Sequence, residues 1–382
     1  MNFLSRYFRR SAASLLLLLA VQVSALTALA QAQPLRLGVM LPLHDENGDG
    51  RRMVEYYRGV LMACDSLKST GLSVDIHAWN TPEDSDLKDV LRDPAAARCD
   101  LIIGPLYSRQ VRALSDFVAQ HGIKLLIPFS ITAPALYTNP NIYQVYQNNN
   151  DFNNASVAHY LKRFSDCHPV IIDCNDSTSK KGSFTFTLRR KLDERGISYN
   201  LTNLKSSEEA FSKAFSSEQR NVVILNTGRH QELGVALAKL DGLRTSRPDL
   251  QVSMFGYTEW LGYTSRYLEK FYRYDVYIPS AFYTNVFSSQ TQRMQQKYRA
   301  NFRQDMQQML PRLAITGFDQ AMFFLRGLRQ YGKAFNGEAS QPTSVKPVQT
   351  PLLFERVADG GWRNRTHILV HYRTDQRVET IQ

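Results

Sequence analysis

The stretch CDLIIGPLYSRQVRALSDFVAQHGIKLLIPFSITAPAL (residues 99–136) decides how the chain folds. It holds two apolar runs that end alike, each breaking at a Gly or Pro and then offering hydroxyls. Short, fully apolar runs suit parallel strands buried on both faces. Between them, residues 108–121 place Val111, Leu114 and Val118 at helical spacing. The stretch therefore reads as a strand, a turn with Tyr107 and Ser108, a crossover helix, a strand, and a turn with Ser130 and Thr132. In open α/β sheets ligands sit at such carboxyl-end turns, because helix N-termini there expose unpaired N–H groups. The pattern predicts a small-molecule cleft.

Working outward, LRLGVML (residues 35–41) reads as the first strand, ended by Pro42 and followed by the polar loop HDENGDGR. A helix over 53–68, a strand over 73–79 and a helix over 85–92 lead into the opening stretch, and 141–149 reads as a fifth strand. A second series of the same kind follows. It has helices over 151–164, 180–195 and 230–243, with strands over 169–173, 197–201, 221–226, 251–255 and 275–278. Two helices (289–309 and 314–331), a Pro-containing exposed loop (336–351) and a hairpin turning at Asp359-Gly360-Gly361 (352–373) complete the chain.

The fold class is α/β, with two doubly wound parallel-sheet lobes joined by crossover segments. Residues 34–147 with 314–335 form one lobe and 148–280 the other. Residues 281–313 form a crossover and helix, and 336–382 the polar loop and C-terminal hairpin.

The 382 residues suffice for two lobes and exceed one comfortable core. Residues 1–30 read as a secretory signal peptide: Arg6, Arg9 and Arg10 precede an apolar stretch that ends in Ala28-Leu29-Ala30. No later segment is apolar enough to span a bilayer, so an exported, periplasmic protein is expected. The leader's three Arg belong to the formal charge of +11, and the remaining Lys and Arg are scattered among acids. That pattern argues for a solvated basic surface and against nucleic-acid binding. Cys167 and Cys174 flank one strand and lie too far apart to pair. Cys64 and Cys99 could pair, and four free thiols is the alternative. No Cys/His cluster suggests zinc.

The order of elements, together with LGVMLPL, DLIIGPLYS, LLIPFS, ITGFDQAMFFLRGL and the closing hairpin, resembles the type I periplasmic binding proteins, the superfamily of the Leu/Ile/Val-binding proteins. The resemblance runs over roughly residues 34–372. It is nearest to an envelope subset often associated with LysM modules, and no LysM is present here. Activators of peptidoglycan synthases share that fold.

The resemblance implies a protein that captures a small polar ligand between two lobes. An amino acid or short peptide is the expected class, for ABC import or sensing, with an ABC permease as partner. The alternative it implies is a non-transport envelope protein using the fold for protein or cell-wall interaction.

GPLYS and PFSIT match the family's ligand turns, which makes Tyr107, Ser108, Ser130 and Thr132 ligand-binding candidates. Ser108 could equally serve as the N-cap of the following helix. From the second lobe come Asn226, Thr227, Tyr257, Thr258 and Glu259, with Glu259 the candidate partner for a ligand ammonium. Tyr283 and Trp260 could cover an apolar side chain. GFDQAMFFL resembles a family helix that packs back on the first lobe, which makes Asp319 structural. Asp45, Asn47, Asp49 and Gly50 match half of a calcium loop, but Tyr56 stands where its Glu belongs. No cofactor or metal is expected. With no G-x-S-x-G, Walker or G-x-G-x-x-G motif, nothing points to an enzyme.

Overall fold

The computed structural model describes residues 33–130 and 132–382; the expected leader lies outside them. β1 (Leu35–Leu41) leads to α1 (Gly48–Lys68), β2 (Val74–Asn80), the short α2 (Lys88–Arg92) and α3 (Pro94–Ala97), and β3 (Leu101–Ile103). Then come α4 (Val111–His121), β4 (Lys124–Ile127) and β5 (Ile142–Gln144). The second series runs α5 (Asn149–Arg163), β6 (His168–Asp173), α6 (Gly182–Asp193), β7 (Asn200–Asn203), α7 (Glu208–Ser212), β8 (Asn221–Leu225) and α8 (His230–Ser246). It ends with β9 (Val252–Phe255), α9 (Thr264–Arg273) and β10 (Val276–Ser280). After it come α10 (Ser289–Phe302), α11 (Leu313–Tyr331), β11 (Phe354–Arg356), β12 (Trp362–Asn364), β13 (Ile368–Tyr372) and β14 (Val378–Ile381).

The two series build two sheets of one design. Sheet 1 has the order β11-β12-β5-β4-β3-β1-β2 and sheet 2 the order β14-β13-β10-β9-β8-β6-β7. Their first five strands are parallel, and each strand order reverses once, between β1 and β3 and between β6 and β8. Those two points are where an open α/β sheet leaves a crevice at its carboxyl edge.

The C-terminal segment is not one hairpin. β11 and β12 pair antiparallel on sheet 1, then residues 365–367 cross over, and β13 and β14 pair antiparallel on sheet 2. Asn364 makes the break, its Oδ1 accepting from the backbone N–H groups of Leu353 (3.2 Å) and Thr366 (3.1 Å).

β1 is buried on both faces, as its apolar run requires. Leu37, Val39 and Leu41 pack with α1 and α11, whereas Met40 packs with Leu114 and Val118 of α4. Cys99 lies in the α4 layer and Cys64 in the α1 layer. The sheet therefore stands between them, and all four cysteines are free.

Where α1 and α11 cross, the backbones touch. A Cβ at Gly59 would fall on the Ala314 carbonyl oxygen, and one at Gly317 on that of Tyr56. α10 also belongs to this lobe: Met294 and Tyr298 pack against Met62, Ala314 and Ile315, and the Tyr298 hydroxyl donates to buried Glu55. It is shorter than its periodicity suggests, ending at left-handed Arg303 (φ 57°).

The polar stretch over 336–351 is only partly an exposed loop. Its last turns are held down by Asp319, whose carboxylate accepts from the backbone N–H groups of Val348, Gln349 and Thr350, each at 2.8 Å. Three crossovers (145–148, 281–288 and 365–367) join the lobes. Gln147 Nε2 donates to the Thr366 carbonyl (2.8 Å), and Asp151 grips Arg363 (2.8 Å) and Arg365 (3.0 Å). Among the described residues, no helix is long and apolar enough to cross a membrane.

Candidate functional site

In lobe 1 the loop after β1 is shorter than the sequence suggests. Asn47 caps α1, its Oδ1 accepting from Gly50 N (2.8 Å), so Asp49 lies in the first helical turn. The half calcium loop is thereby spent on starting a helix. Tyr107 donates across the switch point to Asp49 Oδ2 (3.3 Å), and burial, followed by the Asp49 charge, raises its phenol.

Ser108 does not cap the following helix. Its hydroxyl lies 2.8 Å from that of Ser130, and Ser130 Oγ is also 3.2 Å from both the N–H and the carbonyl oxygen of Thr132. Gln144 Nε2 fixes this turn by donating to the Ser130 carbonyl (2.9 Å). The hydroxyls of Ser108 and Ser130 and the backbone of Thr132 thus form one polar corner, with Ser130 buried and the other two exposed.

In lobe 2 the equivalent turns follow β6, β8 and β9. Asn226 bridges two strand ends: its Oδ1 accepts from Cys174 N and its Nδ2 donates to Asp173 Oδ1, both at 2.8 Å. Thr227 donates to Asp176 Oδ2 (2.7 Å) and Arg229 lies 3.3 Å from Asp176 Oδ1. Hydrogen bonds from Thr178 and then Thr227 hold the Asp176 carboxyl near 2.

Tyr257 is buried between Phe184 and Trp260, and its hydroxyl donates to the Leu225 carbonyl. Only its ring face is available, and Lys181 covers that: Nζ sits 4.8 Å from the ring centroid and 2.6 Å from Glu259 Oε1. The acid expected to face a ligand ammonium therefore already holds a cation of this chain.

Lys181 escapes sequence reading because one of two adjacent lysines looks like solvated charge. Its proximity to the turn after β6 is the only local signal. Tyr283 lies apart from the others, in the second crossover. Its N–H donates to the Gln349 carbonyl (3.0 Å), and burial pushes its phenol up to about 12. Trp260 is fully buried. At the rim, Leu310 of lobe 1 reaches Gly262 in the turn after β9; a Cβ there would lie 3.7 Å from Leu310 Cδ1. A polar cavity of about 500 Å³ lined by Arg163, Cys167, Arg220 and Gln251 opens at the opposite, amino-terminal edge of sheet 2, away from these turns.

Two doubly wound lobes of identical strand order, joined by three crossovers, constitute the type I periplasmic binding protein fold. No protein-family model matches the sequence, and no curated protein matches it. Solved structures share the fold at low identity. One is described as a branched-chain amino acid ABC transporter protein from Rhodospirillum rubrum (14% identity, TM-score 0.57, 91% of this chain and 100% of that one). Another is a branched-chain amino acid ABC transporter periplasmic ligand-binding protein from Burkholderia xenovorans (12%, 0.51, 91% and 94%). A third is full-length LpoA from Haemophilus influenzae (13%, 0.57), of which this chain covers 59% while 92% of itself is matched.

Proposed function

We propose that this chain is a periplasmic solute-binding protein that captures a small polar ligand, of the amino acid or short peptide class, between its lobes. The observation that carries the reading is the pair of polar corners at the two carboxyl edges: the Ser108 and Ser130 hydroxyls with the Thr132 N–H on lobe 1, and Glu259 with the Tyr257 ring face, joined through Lys181, on lobe 2. Hydroxyl and N–H donors suit a carboxylate, and an acid beside an aromatic face suits an ammonium. The role is binding rather than catalysis, and an ABC permease or a sensor would read the closed form. The solved relatives described as amino acid ABC transporter proteins support this direction.

A thermal-shift panel of amino acids and short peptides tests it. A ligand at a hundred times its dissociation constant adds about 2.7 kcal/mol of stability, and Ser130→Ala should remove that gain. An unshifted panel would reject the solute reading.

One set of observations favours a second reading, an envelope protein that keeps the fold for protein or cell-wall contact. The polar groups of the rim are satisfied within the chain: Ser108 by Ser130, Glu259 by Lys181, and Asn226 by Asp173 and Cys174. An unshifted panel combined with capture of an envelope partner is the outcome this reading expects.

A further inference from the structure

Lys181 immediately precedes α6, at the lobe-2 switch point. Its ammonium meets the Glu259 carboxylate at 2.6 Å and the face of buried Tyr257 at 4.8 Å. Gly228, from the neighbouring turn, leaves the space in which they meet: a Cβ there would stand 3.3 Å from Lys181 Cε and 3.4 Å from the Glu259 carboxyl. A carboxylate beside an aromatic face is what recognises a primary ammonium. The corner is thus formed, and it is filled from within.

The filling is reversible in character. The Lys181 side chain is 28% exposed and that of Glu259 49%, and an ion pair so open to water contributes little. The long, unbranched lysine stem can leave such a partner without disturbing the core beneath it.

We propose that Lys181 is an internal occupant of the lobe-2 ammonium subsite, holding the place a ligand's amino group would take and thereby setting which ligands the cleft accepts. This rests on the reading of the cleft as a ligand site. A ligand that brings its own ammonium must displace Lys181, so the native cleft discriminates against simple amines. Removing the side chain empties the corner for them.

The test uses n-propylammonium chloride, which carries the same primary ammonium, titrated against the full chain at constant ionic strength and followed by NMR shift perturbation and thermal shift. Lys181→Ala should bind it saturably and at least tenfold more tightly than the unsubstituted protein, and the double variant K181A/E259Q should lose that gain. Equal affinity in the unsubstituted and Lys181→Ala proteins overturns the proposal, as does a gain that survives in the double variant. The two readings fail separately. Propylammonium binding gained by Lys181→Ala with no amino acid or peptide binding upholds the occupant and rejects the solute-binding function. An amino acid that binds the unsubstituted and Lys181→Ala proteins alike upholds the function and rejects the occupant.

Discussion

The two lobes share one strand order but are closed at their switch points by different means. In lobe 1 a 3.3 Å contact from Tyr107 to Asp49 spans the gap, and the nearby polar corner leaves Ser108 and Thr132 in water. In lobe 2 the gap is laced by Thr227 and Arg229 on Asp176 and by Asn226 on Asp173 and Cys174, with Lys181 paired to Glu259. The chain routes differ too. Both lobes draw five parallel strands from one continuous stretch, but lobe 1 needs α10, α11 and the strap held by Asp319 to complete its core, whereas lobe 2 is completed by the late strands β13 and β14. One lobe has a lightly tied rim and a core completed by late helices; the other has a rim laced by side chains and a core completed by a late strand pair.

That difference is broken most directly at the crossing of α1 and α11. Gly317→Ala puts a methyl group on the Tyr56 carbonyl oxygen, a backbone atom that cannot rotate away. Overpacking of this kind costs about 3 kcal/mol or more where the neighbour is rigid. Calorimetry of Gly317→Ala should show the lobe-1 transition lowered and the lobe-2 transition in place. A uniform shift of both would mean that the lobes unfold as one unit.

The pH dependence should separate the lobes next, in opposite directions. Burial raises the Asp319 carboxyl to about 6 against the hydrogen bonds from Val348, Thr350 and Gln349. Between about pH 6 and 4 the folded lobe 1 therefore binds more protons than the unfolded chain, so its stability rises as pH falls, by up to about 3 kcal/mol. His367 packs on α5 beside Ser156, and burial, aided by His159, lowers it to about 3. There the unfolded chain binds the extra proton, so lobe 2 loses about 2 kcal/mol from pH 6.5 to 5. Unfolding transitions recorded from pH 7 to 4 should diverge, and Asp319→Asn and His367→Asn should each flatten one of them. Parallel profiles in the unsubstituted protein would contradict both assignments.

The two-lobed plan was legible because its signals are local. LRLGVML marks β1 with its observed bounds, and apolar runs such as NVVIL and LLI betray strands buried on both faces. What was missed depends on partners distant in sequence. The run WRNRTHILVHY holds no Gly or Pro to mark a turn, so only the Asn364 hydrogen bonds reveal that the chain changes sheets there. α10 stops at Arg303 with no glycine to announce it. At the site, Ser108, Ser130 and Thr132 are readable as strand-end hydroxyls; the two serine hydroxyls meet, and Thr132 joins them through its backbone. Asn226 and Tyr257 have the right residue types but spend their polar atoms on the fold. Lys181 becomes visible only when β6 and β9 bring it to Glu259.

The smallest effects belong to the rims themselves, where the comparison is sharpest. Ser108→Ala removes a 2.8 Å hydroxyl contact from a partly buried corner, and such a hydrogen bond is worth about 1 kcal/mol. Glu259→Gln removes an ion pair open to water, which typically contributes between about 0.2 and 1 kcal/mol and weakens in salt. Ser108→Ala should therefore destabilise lobe 1 by more than Glu259→Gln destabilises lobe 2, and raising the salt to molar concentration should erase only the second effect. Denaturant midpoints measured for each lobe decide it. A larger, salt-insensitive loss in Glu259→Gln would make the charged corner a structural fastening of lobe 2, one too firmly held for a ligand's ammonium to displace.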